Sequence, residues 1–312
     1  MLNIMETPPL AAAYEENGDP VKLPYKTYVN PLLQIKDDDT NKRYNLNANF
    51  YADIDIPYIK GLNYRINFSQ YLKNIQDYNY SETEENFQGK GYKENSSEYG
   101  WTVDNILSYR NNFGKHDMDA TVVYGAEKIK QEETRATASI CANGSLGYNY
   151  LGAGQADQQA TTSGAWQESS LYSMGRVRYT YDDKYTFTGT VRRDGFSGFG
   201  KNNKFGIFPS AALAWRISEE DFVNKLEWLD NLKLRLSYGK NGNRTISRYQ
   251  TLAQISSGNG YVFGDGSSAE LRQWISSLAN SNLKWETTNT FNIGVDFSVL
   301  NSRIFGSLEY YI

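Results

Sequence analysis

Cysteine and histidine each occur once in the 312 residues, as Cys141 and His116. A single thiol excludes an internal disulfide and any thiolate metal cluster, and a single imidazole leaves a zinc site or a histidine-based triad short of parts. Charge of one sign is also lacking. The 32 Lys and Arg stand against 36 Asp and Glu, so a net charge of -4 gives no electrostatic case for nucleic acid. No apolar run approaches the roughly 18 residues of a spanning helix, so any membrane role has to be carried by strands. The first residues, MLNIMETPPLAAAYEENGD, hold an acid at Glu6, no Lys or Arg before Lys22 and no apolar core, so they do not read as a secretory leader.

What the chain does have is tyrosine and alternation. Its 25 Tyr, with 14 Phe and 6 Trp, suit strands and interfacial girdles, because a tyrosine ring buries while its hydroxyl stays wet. Residues 1–43, rich in Pro, Asn and Asp, read as a loop-like N-terminal segment ending in Asp37, Asp38 and Asp39. Three adjacent carboxylates can contribute to a calcium site, but a solvated loop is the simpler expectation. From Tyr44, residues Leu46, Ala48, Phe50, Ala52, Ile54 and Ile56 alternate with polar neighbours, and Leu62, Tyr64, Ile66 and Phe68 do the same after a turn. The same period of two recurs at 99–113 and 116–130, at 169–182 and 184–194, at 205–217 and 231–239, and at 285–297 and 304–312. Residues 218–231, SEEDFVNKLEWLDN, read as a short helix, with Ser218 as cap and Phe222, Leu226 and Leu229 in helical phase.

These segments make about ten strands, and their connections alternate in character between the two ends of the sheet. Those at 58–61, 114–115, 183 and 299–301 are tight, with 218–230 at the same end; 74–98, 131–168 and 240–282 are long and polar, with the shorter 195–203 among them. Strands of membrane-crossing length with loops long on one side predict an all-β, antiparallel, up-and-down transmembrane barrel segment over 44–312. A soluble sheet also alternates when one face meets water, which keeps a soluble carbohydrate-binding sheet protein and a passive porin open as alternatives.

The stretch YDDKYTFTGTVRRDGFSGFGKNNKFGIFPSAALAWRISEEDF at 181–222, with NLKLRLSYGKNGN at 231–243 and NSNLKWETTNTFNIGVDFSVLNSRIFGSLEYY at 280–311, resembles the barrel of SusC/RagA-type TonB-dependent transporters of Bacteroidetes outer membranes. Its signature turn comprises Asp194, Gly195, Phe199 and Gly200; Phe196 and Gly198 depart from the Ser and Arg expected between them. The resemblance implies a barrel of about 22 strands around a plug. It also implies import of oligosaccharide or peptide across a Gram-negative outer membrane, with a SusD-like surface lipoprotein and the TonB complex as partners. Without plug, TonB box or leader, and with about ten strands, these residues are expected to be one part of such a transporter, unable to insert or transport alone.

No cofactor, metal or catalytic residue is expected. GFSGFGKN at 195–202 nearly spells a phosphate loop, but Asn202 replaces the metal-binding hydroxyl and a strand pattern follows, so it reads as a turn. Asp53, Asp55, Arg192, Lys233 and Arg235 lie on the polar side of strands, as lumen-facing groups do. His116 reads as a solvated turn residue and Cys141 as a loop thiol. The candidate ligand contacts are aromatics in the segments read as outer loops, Trp166, Tyr261, Phe263 and Trp274, whose flat rings can stack on sugar or peptide.

Overall fold

The computed structural model describes residues 11–23, 29–35, 37–223, 225–262 and 269–312. Twelve strands run through them: β1 Asp38–Asp55, β2 Leu62–Ser81, β3 Lys90–Phe113, β4 His116–Ser139, β5 Gln159–Tyr181, β6 Tyr185–Phe196, β7 Phe205–Arg216, β8 Leu229–Asn243, β9 Gln254–Val262, β10 Ala269–Ser277, β11 Glu286–Val299 and β12 Ile304–Tyr311. Ten form one sheet in the order β1-β2-β3-β4-β5-β6-β7-β8-β11-β12, and β9 and β10 pair separately. Each strand of the large sheet follows its sequence neighbour apart from the inserted pair, so the topology is up-and-down. The sheet is open, with β1 and β12 each paired on one side.

The register shows why the alternation exists. One face carries the row Tyr179, Phe187, Leu213, Leu236, Ile293, Tyr310, and next to it the row Tyr181, Tyr185, Trp215, Leu234, Val295, Leu308. The opposite face carries Arg178, Thr188, Ala212, Ser237, Asn292, Tyr311 and then Thr180, Thr186, Ala214, Arg235, Gly294, Glu309. The apolar rows are not covered by protein: Phe187 is 44% exposed, Leu213 54% and Leu308 70%. Directly opposed side chains stabilise such pairs by about 0.2–1 kcal/mol each, but an uncovered apolar face of this extent demands a second, apolar medium.

Four expectations are corrected. β1 begins at Asp38, not Tyr44, so Asp38 and Asp39 lie in a strand that sends neighbouring side chains to opposite faces and cannot gather them on one cation. Residues 74–98 are not a loop: β2 runs to Ser81 and β3 starts at Lys90, leaving 82–89 as the connection. Likewise 131–168 shrinks to 140–158, because β4 runs to Ser139 and β5 starts at Gln159; two short 3-10 segments, Gly147–Ala153 and Ala156–Gln158, fill it. In these strand portions polar side chains replace the alternation and bond across strands instead, as Tyr71 Oη does to Glu98 (2.9 Å), Tyr78 Oη to Asn95 (2.7 Å) and Arg135 to Glu94 (3.2 Å). The segment 240–282, finally, contains the end of β8 and the β9–β10 hairpin.

The helix expected at 218–231 is absent among the described residues; a 3-10 turn, Ile217–Glu219, and further turns lead into β8. Ser218 Oγ is buried without a hydrogen-bond partner, so it caps nothing. Glu220, which would favour a helix first turn, is drawn back to β7 and to the start of β6. It accepts from Trp215 Nε1 (2.9 Å) and Tyr185 Oη and lies 3.5 Å from Lys184 Nζ. These bonds, Tyr185's first, hold its carboxyl below the ordinary carboxylate range.

The described residues pack as two units, whose bounds in the sequence are as follows. One comprises residues 1–48, 70–100 and 129–167; the other 49–69, 101–128 and 168–312, including the apolar rows.

Candidate functional site

The signature turn sits between β6 and β7, and its residues form the best-packed cluster of the second unit. Asp194 binds Arg192 Nε at 2.8 Å, closing the polar end of β6. Gly195 carries the Phe205 ring, its register partner. Phe199 is fully buried, meeting Phe196 edge-on with centroids 5.6 Å apart and Trp285 at 5.1 Å; Phe208 packs on the same indole at 5.4 Å. Gly200 passes so near the 280–285 segment that a Cβ would lie 1.9 Å from the Ser281 carbonyl oxygen, which no side chain permits. That carbonyl, and the strand that follows the turn, also dispose of the phosphate-loop spelling, since an anion site needs donors and a helix start.

Phe196 and Gly198, the two departures from the expected spelling, are neighbours in space: a Cβ on Gly198 would lie 2.5 Å from the Phe196 ring. A side chain at 198 and the Phe196 ring therefore compete for the same space. Arg244 completes the cluster, its guanidinium 4.9 Å from the Phe196 centroid and donating to Ser170 Oγ at 2.7 Å. Ser197 N donates to the Ser169 carbonyl and Ser169 N to Ser197 Oγ, each at 2.9 Å. Three blocks far apart in sequence, 194–204, 239–244 and 280–286, thus meet at one place. All three blocks are visible in the sequence, but nothing there marks Arg244 or Trp285 as their joints.

Three of the four aromatic candidates lie among the described residues, on three different strands. Trp166 lies on β5, not in a loop, half-buried in the first unit, with its Nε1 donating to Gln131 Oε1 at 2.6 Å. Tyr261 lies on β9 opposite Glu270, and Trp274 on β10 of the second unit, 44% exposed with the Arg272 guanidinium 4.8 Å from its ring. Phe263 lies outside the described residues. His116 is exposed, as expected of a turn residue, but it is tied down: Nδ1 lies 2.6 Å from Tyr179 Oη.

The polar-face ions are mutually engaged. Arg235 binds Asp296 through Nε and Nη2 (2.9 and 2.8 Å) and reaches Glu309 (2.6 Å), tying β8, β11 and β12. Asp53 and Asp55 both accept from Asn63, and Arg65 stands 3.7 Å from Asp53. Among the described residues no three His, Cys, Asp or Glu cluster as a metal would need.

Residues 9–312 match the family model described as TonB dependent receptor-like, beta-barrel. The chain belongs to that family. TonB-dependent receptor P3 of Formosa agariphila is 34% identical over 300 residues, covering 94% of this chain and 29% of the relative. TonB-dependent receptor SusC of Bacteroides thetaiotaomicron is 40% identical over 154 residues, 48% of this chain and 15% of that one. In three dimensions the chain is similar to the RagAB peptide transporter, with a TM-score of 0.80 at 21% identity over 96% of this chain and 34% of the other. This TonB-dependent receptor barrel segment therefore spans under a third of the length of the curated relatives it matches. Membership in a barrel family accords with the ten neighbouring antiparallel strands of the large sheet, β1–β8, β11 and β12.

Proposed function

We propose that these residues are wall strands of an outer-membrane barrel that imports oligosaccharides or peptides by TonB-coupled transport, beside a SusD-like surface lipoprotein. The observation that carries the reading is the pair of faces on β5–β8, β11 and β12: uncovered apolar rows on one side, ion-paired and hydroxyl-bearing rows on the other. Lipid suits the first and an aqueous lumen the second. β6 and β7, with 12 residues each, exceed the roughly 9 to 11 that a tilted strand needs to cross. The similarity to SusC supports the class, and the likeness to RagAB, a peptide transporter, extends the cargo considered to peptides. The function is transport, with the chemistry confined to binding.

The test is uptake by cells that carry the complete receptor. Labelled oligosaccharide or peptide should accumulate only when both receptor and TonB are present. Uptake that persists without TonB identifies a passive pore, and a receptor that purifies without detergent identifies a soluble binding protein; either result ends this reading.

A further inference from the structure

The apolar side of the second unit is not flat. An open groove of about 570 Å³ crosses β4–β8, walled by Val122, Val177, Val191, Pro209 and Tyr238. Ligand pockets have volumes of roughly 300–1,000 Å³. A Cβ on Gly175, which also borders the groove, would meet nothing within 4 Å, so the floor is open there. Thr121, Arg176, Thr190 and Ser210 border it as well, but alternation sends their side chains to the opposite face and leaves only their backbone here. The side chains that project into the groove are therefore aliphatic or aromatic.

Two cations stand at one end of this groove, on the same face. Arg193 lies two residues beyond Val191 on β6, and Lys240 two residues beyond Tyr238 on β8. Ser173 and Ile207 complete the row of Arg193, Leu171, Gly195 and Phe205 form the next row outward, and Lys240 is opposed by Asn289. None of these neighbours is a carboxylate, and among the described residues neither Arg193 nor Lys240 has an acidic partner. Arg192, adjacent in the chain but on the opposite face, is bound to Asp194 at 2.8 Å. The Arg193 guanidinium lies 3.8 Å from the centroid of Phe205, so it is carried outward, away from the groove. From Tyr185 to Arg193 the strand runs about 27 Å, at roughly 3.4 Å per residue. That places Arg193 near the outer boundary of an apolar band roughly 25 Å tall. Lys240 reaches toward the same level by extending its stem.

We infer that the groove, with Arg193 and Lys240, is a docking site for a phosphorylated glycolipid of the outer leaflet, with an acyl chain in the groove and the phosphate on the two cations. The inference rests on the membrane-wall part of the proposed function. The groove is continuous with the apolar rows that face hydrocarbon, which calls for an apolar occupant along its length. Charge complementarity defines the other end of that occupant. Two cations without carboxylates at headgroup level call for an anion, and phosphate oxygens accept charge-assisted bonds from guanidinium and ammonium. Ser173 adds a hydroxyl beside Arg193. The cations stand at the end of the strands served by 197–204 and 244–285, the side of the long connections, which is the outer one in such barrels. The anionic lipid of that leaflet is a phosphorylated glycolipid.

Native mass spectrometry of the complete receptor in detergent tests this, with phosphorylated lipid A, the same lipid stripped of phosphate, and phosphatidylglycerol as probes. Phosphorylated lipid A should be retained at least about tenfold better than either of the others, as charge-assisted bonds together with a filled groove require. This comparison uses the unmutated receptor and does not depend on variant folding. The double variant Arg193→Ala/Lys240→Ala should abolish the preference for phosphate, while Arg193→Lys keeps it within about threefold. Gly175→Leu, which fills the groove, should weaken both forms of lipid A alike. Equal retention of the two forms of lipid A, equally strong retention of phosphatidylglycerol, a preference that survives the double variant, retention indifferent to Gly175→Leu, or a second copy of the receptor held in place of lipid overturns the inference. TonB-dependent uptake by cells carrying the same receptor separates it from the proposed function. Phosphate-dependent retention without uptake leaves this inference standing and ends the importer reading; uptake without such retention does the reverse.

Discussion

At the scale of single residues the signature turn is where small changes cost most. Phe199 has no solvent left to lose, so Phe199→Ala should destabilise the cluster by about 3–5 kcal/mol, as large-to-small changes at aromatic core sites do. Gly200→Ala should act differently, by pushing 280–285 away; the expected signature is faster amide exchange at Gly200, whose N–H reaches the Leu283 carbonyl at 3.4 Å, with little change at β1–β4. Exchange rates at Gly200 equal to the parent's would show that the close approach is not kept. Glu220 gives a pH prediction. Its folded pKa is depressed, so the stability it contributes is complete above the ordinary carboxylate value and is lost as pH falls through the lower folded value. Trp215, which donates to it, should report the loss as a fluorescence change on acidification that Glu220→Gln shifts or abolishes.

At the scale of elements, the sequence is readable where one face of a strand meets an apolar medium and poorly readable elsewhere. β6, β7, β8, β11 and β12 alternate because lipid and water select opposite residues on their two faces, and the alternation locates each of them to within a few residues. β2 to β5 have 20 to 24 residues each, about twice the length of a crossing strand. Their distal portions are held by tyrosine, amide and ion-pair bonds, whose residue types are those of loops, so the sequence pattern does not separate the two. For the same reason Trp166 reads from sequence as a loop aromatic free to meet a ligand. Its indole is instead a brace, and Trp166→Phe, which keeps an aromatic ring and removes the Nε1 donor, should loosen the pairing of β4 with β5 without a direct loss of ligand affinity. Trp274, exposed on β10, remains a candidate contact, so Trp274→Ala should weaken binding while leaving β4 and β5 unchanged. Equal effects of the two variants on affinity, with no change in exchange at β4, would reverse these assignments.

At the scale of the molecule, the decisive fact is that the ten-stranded sheet has two free edges. Among the described residues β1 and β12 each leave one side of their backbone unpaired. In water such groups are satisfied by solvent, but in hydrocarbon each costs several kcal/mol, and the edge of β12 alone, with its 8 residues, presents several. The apolar rows pull the sheet into lipid and the free edges forbid it to stay there, so the two demands are met together only when further strands close the wall. The 312 residues expressed by themselves should therefore aggregate or be degraded. When the complete receptor is expressed, the same residues should give a heat-modifiable, protease-resistant species in the outer membrane. Recovery of a heat-modifiable monomer from membranes that contain only these residues would mean that the edges are satisfied some other way, by curling until β1 meets β12 or by pairing with a second copy. Cross-linking between cysteines placed on β1 and β12 would tell these apart, because the bond would lie within one chain in the first case and between two in the second.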